Sequence, residues 1–268
     1  MSVYAENRAW ALKNIKHLGG TVVLKGFETV GRPGTDYEWP LRQESNFFYL
    51  SGVPEEDAWI VWDLVENVFH SFVTMPPDDA KTWMKVESFE SKKAKYSADF
   101  LHEVADLPQV LDDIVKKGHL PIHTLEFTSE EDIRKAGKIS PLLPIDRSNL
   151  QYFLGESRAI KQPGEINEIK LAASEASLSF IDVFSEVNED MTEARIEGLW
   201  FYKTSQHAQL NSRFASFLPC VSYGTSSAIL HHAAENDVKG KDGDLFLLDA
   251  GTSHNFYASD ITRTIPIN

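Results

Sequence analysis

The chain has 268 residues, 42% hydrophobic and 25% charged, the composition of a folded globular protein with one large domain or two ordinary ones. A net charge of −14 argues against nucleic-acid binding, and no stretch approaches the roughly 20 apolar residues of a membrane span. Cys220 is the single cysteine, which excludes a disulfide framework and a thiolate zinc site. The N-terminus has no apolar signal-peptide core, so a cytoplasmic location is expected.

The first half alternates strand-like and helix-like pieces. Residues 47–53 and 58–64 are short apolar runs rich in aromatic and β-branched residues, with Pro54 and acidic residues between them. They are read as neighbouring strands. Residues 68–74 predict a third, stopped by Pro76 and Pro77. Residues 98–118 read as helical pieces around Pro108, with Gly118 as a stop. Residues 121–127 read as another strand. Together these pieces predict a small α/β domain over residues 1–155.

The second half, residues 156–268, opens with Pro163, which suits a first helical turn because its missing N–H costs nothing there. Apolar residues recur at Ile166, Ile169, Ala173, Ala176, Phe180, Val183, Phe184 and Val187, the spacing of one buried helical stripe. Thr192 can cap a second helix through Ile196, Leu199 and Trp200. Strands are then predicted at 217–224, 228–232, 244–251 and 257–267, with 252–256 as a turn.

Asp249 and Asp260 are the candidate site. They are eleven residues apart across that turn, so paired strands can place both carboxylates on one sheet face. Two carboxylates that close repel unless a cation or proton separates them, and hard divalent ions suit carboxylate oxygen. Taken by spacing alone, aspartates near turns are more often ordinary turn residues. Asp260 departs from that pattern because it falls in a predicted strand, where Asp is disfavoured. His231 and His232 follow an apolar run. Neighbouring strand residues face opposite ways, so one of the two at most enters a given site. His254 is placed in the turn, in solvent. Cys220 follows Pro219 with no base nearby in sequence and reads as a buried structural thiol. The zinc helix H-E-x-x-H, the phosphate-binding glycine loop and the G-x-S-x-G elbow are all absent.

The run GESRAIKQPGEINEIKLAA resembles the start of the catalytic domain of proline-specific aminopeptidases and prolidases, the pita-bread metallopeptidases. The resemblance continues in SYGTSSAILHH, GDLFLLDAG and YASDITRTIPIN. Upstream, RQESNFFYLSGVPEEDAWIV resembles the amino-terminal domain that accompanies it. The fold this implies is a creatinase/prolidase-like α/β domain followed by the first half of an α+β pita-bread domain. The resemblance also implies that Asp249 chelates one metal, that Asp260 bridges two, and that His231 contacts substrate near the scissile bond. It implies two divalent ions, commonly Mn2+, and hydrolysis of the bond before proline in dipeptides or longer peptides. A homodimer is the expected assembly. The family's remaining ligands, one histidine and two glutamates, are expected beyond Asn268, which makes the site an incomplete one with weak metal retention. The alternatives are a non-catalytic interaction or dimerisation protein, or a truncated gene product. A metal-independent relative of creatinase fits less well with Asp249 and Asp260 both present.

Overall fold

The computed structural model describes residues 2–209 and 212–267, and its contacts fall into two units that divide between Gln162 and Pro163. In the first unit α1 (Val3–Ile15) leads into β1 (Thr21–Lys25), α2 (Ser45–Ser51), β2 (Trp59–Asp63) and β3 (Val68–Val73). There follow α3 (Phe89–Lys95), β4 (Phe100–Glu103), α4 (Leu107–Lys116), β5 (Ile122–His123), α5 (Glu130–Gly137), β6 (Ile145–Asp146) and α6 (Leu150–Ala159). The strands form one sheet in the order β4-β3-β2-β1-β5-β6. The three central strands pair antiparallel, and β4, β5 and β6 are added parallel.

Both faces of this sheet are covered, which explains why β2 reads as a continuous apolar run rather than an alternating one. On one face Val22, Leu24, Ile60 and Trp62 pack with Ala11, Ile15, Phe47 and Leu154 from helices. On the other, Val23, Trp59, Val61 and Phe72 pack with Leu107, Leu111 and Ile133. Residue 155, where the sequence placed the end of the first domain, lies inside α6.

Residues 47–53 are not a strand. They belong mainly to α2, capped by the Glu44 carboxylate on the Phe47 N–H and ended by Gly52 at φ 70°. Asn46 through Ser51 are buried all round, so the segment carries no periodicity that could distinguish helix from strand. Gly52 is required twice over: its backbone is left-handed, and a Cβ would meet the Tyr4 ring at 2.2 Å. The segment around Pro108 also divides differently. Residues 100–103 are the edge strand β4, and the single helix α4 has its proline in the first turn. Gly118 follows at φ 77°, as its role as a stop requires. Within 121–127 only Ile122–His123 pairs as a strand.

The second unit contains α7 (Pro163–Glu186), α8 (Glu193–His207), β7 (Ser212–Ala215), β8 (Cys220–Tyr223), β9 (Leu245–Ala250), β10 (Thr252–His254), β11 (Tyr257–Ala258) and β12 (Ile261–Pro266). Thr192 caps α8 as expected, accepting from the Arg195 N–H. Two three-stranded sheets form, β12-β9-β8 and β11-β10-β7. The core joins Ala176, Phe180 and Val183 of α7 with Ile196 and Trp200 of α8 and Val221, Phe246 and Leu248 of the first sheet.

The predicted stripe on α7 holds only in its C-terminal half. Ile166 is exposed, and Glu165 and Glu168 are buried in its place. The physical reason is the β10–β11 hairpin, which offers polar partners: Tyr257 Oη donates to Glu165 at 3.1 Å, Asn255 Nδ2 donates to Glu168 at 3.0 Å, and His254 Nδ1 also bonds Glu168. Residues 252–256 are therefore not all turn. Thr252–His254 is a strand, and the turn itself is Asn255–Phe256, both at positive φ. Residues 228–232 are not a strand either; a 3-10 turn over Gly224–Ala228 precedes an irregular loop.

Gly251 links β9 to β10 where backbones nearly touch. A Cβ there would lie 1.9 Å from the Ser259 carbonyl oxygen and 2.4 Å from Ser216 Oγ. Gly251→Ala is expected to lower the stability of the second unit by about 1–3 kcal/mol through overpacking against backbone, read as a fall in the urea-unfolding midpoint. A midpoint equal to wild type would show that the crossing has room for a side chain.

Candidate metal centre

The geometry of the site follows from two ladders. Asp249 on β9 pairs with Thr262 on β12 and, on its other side, with Cys220 on β8. Asp260 precedes Thr262 by two residues, so it projects from the same face, diagonal to Asp249. The Asp249 carboxyl reaches the hydroxyl of Thr262 and the carboxyl of Asp260, and His231 acts on it electrostatically. Asp249 and Asp260 thus meet, and His231 lies within electrostatic range of Asp249. Asp249 is partly buried, whereas Asp260 and His231 are exposed.

Burial raises the pKa of Asp249 above the ordinary carboxylate value, the hydrogen bond from Thr262 opposes this, and the charge of Asp260 adds to the rise. The Oδ1 atom of Asp249 is buried with no hydrogen-bond partner. An unsatisfied buried carboxylate oxygen is costly, and a hard divalent cation supplies what it lacks. The all-oxygen donor set of Asp249 and Asp260 therefore fits such an ion.

The loop carrying His231 is fixed by a residue that the sequence did not reveal. Glu193, the first residue of α8, has no solvent exposure. Its Oε1 accepts the Tyr223 N–H at 2.9 Å, and its Oε2 accepts the Glu235 N–H at 3.1 Å and contacts His232 Nε2 at 2.7 Å. One carboxylate thus ties together the start of α8, the end of β8 and the loop after His231. Its partners lie 30 to 42 residues away, so no local pattern exposes the role. Thr192-Glu193 at a helix start is the one signal available, since acidic residues favour that end of the helix dipole. Of the two adjacent histidines, His232 is the buried structural one and His231 faces outward.

Cys220 is buried and donates to the Leu230 carbonyl across 3.6 Å. Burial, then Asp249, pushes its thiol pKa up, the opposite of an activated nucleophile. His254 is buried on Glu168 rather than solvated. A further group in the first unit, Asp63, Glu66 and His119, has ligand spacing. Its donors are already engaged: Asp63 accepts from the Val65 and Glu66 N–H groups and bonds His119 at 2.8 Å, and Glu66 pairs with Lys117.

The two carboxylates thus lie together with an exposed histidine within electrostatic range of Asp249. Comparison with known proteins agrees. Residues 4–123 match the N-terminal domain of aminopeptidase P, and residues 167–268 match metallopeptidase family M24. An Xaa-Pro aminopeptidase of Haemophilus influenzae is 32% identical over 245 residues, covering 88% of this chain and 54% of the relative. The fold matches proline aminopeptidase P II from Yersinia pestis with a TM-score of 0.82 at 24% identity, over 99% of this chain and 63% of that one. It also matches aminopeptidase P from E. coli with the inhibitor Pro-Leu, at a TM-score of 0.79 and 23% identity, over 100% of this chain and 63% of that one. The chain belongs to the Xaa-Pro aminopeptidase and prolidase family of pita-bread metallopeptidases, with an α/β amino-terminal domain ahead of pita-bread elements. It spans about half the length of the Haemophilus relative. Among the described residues, no helix is long and apolar enough to cross a membrane.

Two outcomes follow. Glu193→Ala leaves His232 and two N–H groups without their acceptor and is expected to cost about 3–5 kcal/mol of stability, measured by denaturant unfolding, with Glu193→Gln recovering part of the loss. Asp249, with its raised folded pKa, costs stability when ionised. The cost is full at neutral pH and disappears as pH falls through the folded value toward that of a free carboxylate. In chelator, Asp249→Asn should therefore melt higher than wild type at pH 7, with the gap closing on acidification. A variant that melts lower than wild type at pH 7 would contradict the assignment of a strained, cation-seeking carboxylate.

Proposed function

We propose that the chain carries the substrate-facing portion of an Xaa-Pro peptidase centre, acting on peptides with proline in the second position. The observation that carries this reading is the meeting of Asp249 and Asp260 on one sheet face, with the loop residue His231 in electrostatic range and a buried Asp249 oxygen lacking a partner. Asp249 and Asp260 would hold the divalent ions, and manganese suits their oxygen donors. When bound, such ions supply Lewis-acid polarisation of a carbonyl and acidification of a water. Asp249 is anchored by the Thr262 hydroxyl, which orients the carboxylate without neutralising it. His231 is exposed beside it and can donate an N–H to a peptide carbonyl as negative charge develops on its oxygen. Glu193, acting through His232, keeps the loop that presents His231 in place.

The presence of Pro-Leu in the E. coli relative supports a proline-containing ligand. Assembly as a homodimer and a cytoplasmic location belong to the same proposal and rest on the family resemblance. The test is incubation of the purified chain with Mn2+ and a peptide of the form Xaa-Pro-Xaa, with calorimetry for ion uptake. Release of the N-terminal residue, lost in Asp260→Asn, is the expected result. Absence of ion uptake would overturn the reading. Ion uptake without turnover would favour the non-catalytic alternative.

A further inference from the structure

The first unit carries a crevice whose position follows from its strand order. β1 and β5 are parallel neighbours, and the chain leaves their carboxyl ends in opposite directions. After β1 it passes through α2 to β2 on one side, and after β5 it passes through α5 to β6 on the other. The two helices also take opposite faces of the sheet. Phe47 and Leu50 of α2 lie in the core with Val22 and Leu24, whereas Ile133 of α5 lies in the core with Val23 and Ile122. Neighbouring strands whose connections part in this way leave a gap beyond their carboxyl ends, the place where open α/β sheets hold ligands.

A cavity of about 440 Å3 occupies that place, within the range of small-molecule sites. Its walls are Phe27 just beyond β1, Phe127 beyond β5, and Arg42, Gln43, Glu44 and Ser45 at the entry to α2. The Phe27 and Phe127 ring centroids are 6.3 Å apart with their planes at 55°, an open V. Neither ring is covered, Phe27 being 46% exposed and Phe127 55%. A third ring set between them would take apolar surface of both out of water, in the tilted geometry that aromatic rings prefer.

The polar groups of the wall decide what that ring carries. Gln43 Oε1 accepts from the Phe27 and Glu44 N–H groups, and its Nε2 donates to the Glu55 carbonyl. Glu44 is buried, with its carboxylate engaged by the Phe47 N–H and Asn46 Nδ2. Glu28, next to Phe27, is paired with Lys25. Among the lining residues the exposed charged group is Arg42, with the exposed Ser45 three positions on. A planar guanidinium suits a carboxylate, which it can grip through two parallel hydrogen bonds. We infer that this crevice binds a small aromatic carboxylate, its ring between Phe27 and Phe127 and its charge on Arg42. An aliphatic acid lacks the ring, and an aromatic amine meets the guanidinium with like charge. The site belongs to the amino-terminal unit and uses no residue of the Asp249–Asp260 centre.

The experiment uses the full chain in chelator, so that no metal ion recruits the carboxylate. Phenylacetate is titrated in and followed by saturation-transfer NMR and calorimetry, beside phenylacetamide, acetate and phenethylamine, which lack the charge, lack the ring or reverse the charge. The expected result is one site for phenylacetate, with each of the other three bound at least about tenfold more weakly. Phe127→Ala and Arg42→Gln should each weaken phenylacetate by about tenfold or more. Both side chains are exposed, so the variants should fold, and circular dichroism establishes that they do. Leu142→Ala, at an exposed position outside the cavity, should leave the affinity unchanged. No binding by the native chain, equal binding of phenylacetamide, or an unchanged affinity in either folded cavity variant would overturn the assignment.

Discussion

A single buried carboxylate holds the second unit in the arrangement on which its candidate chemistry depends. Glu193 sits at the start of α8, where the helix dipole favours negative charge, and accepts bonds from a strand end and from the loop behind His231. Every one of these contacts is to a carboxyl oxygen, so the desolvation cost of burying the Glu193 side chain is offset by donors held in place by the fold. Without that anchor the 231–235 loop would rely on a short 3-10 turn and a few backbone bonds.

The opposite logic governs Asp249. Its carboxyl is partly buried beside another carboxyl, and one oxygen has no donor. Thr262 offsets only part of that penalty. The same sheet that pairs β9 on both sides leaves the Asp249 Oδ1 atom without a donor, as it does the hydroxyl of Ser222 on β8. Native structures tolerate such groups chiefly where a ligand completes them. Glu193 is satisfied at the end of β8, through the Tyr223 N–H, and Asp249 is short of a partner opposite Cys220 at the other end of that strand, so scaffold and site lie at opposite ends of one ladder.

How much of this was legible in the sequence depended on whether the deciding contact was local. Thr192 and Pro163 acted through their own helix turns and were readable. The Asp249–Asp260 relation was readable because a hairpin register follows from spacing, and the motifs around it resembled a known family. The segment at 47–53 gives no such signal, because Asn46 through Ser51 are buried all round, which erases the periodicity that distinguishes helix from strand. The α7 stripe departs from its local pattern at Ile166 because polar residues of a hairpin some 90 residues later choose the buried face. Glu193 was invisible for the same reason, and the β10 strand was hidden by turn-like residues that pair only once the fold is assembled.

That divided face of α7 has a mechanical consequence. Its C-terminal half meets an apolar core through Phe180 and Val183, while its N-terminal half presents Glu165 and Glu168 to Tyr257, Asn255 and His254. Sliding the helix by one turn, about 5.4 Å, would drive carboxylates against the apolar sheet and strand the hairpin's donors. A helix that was greasy along its whole inner side could dock in several offsets of similar energy. This one has a single seating, and because β10 and β11 lie between the two aspartate-bearing segments, that seating also sets how the chain returns toward Asp260.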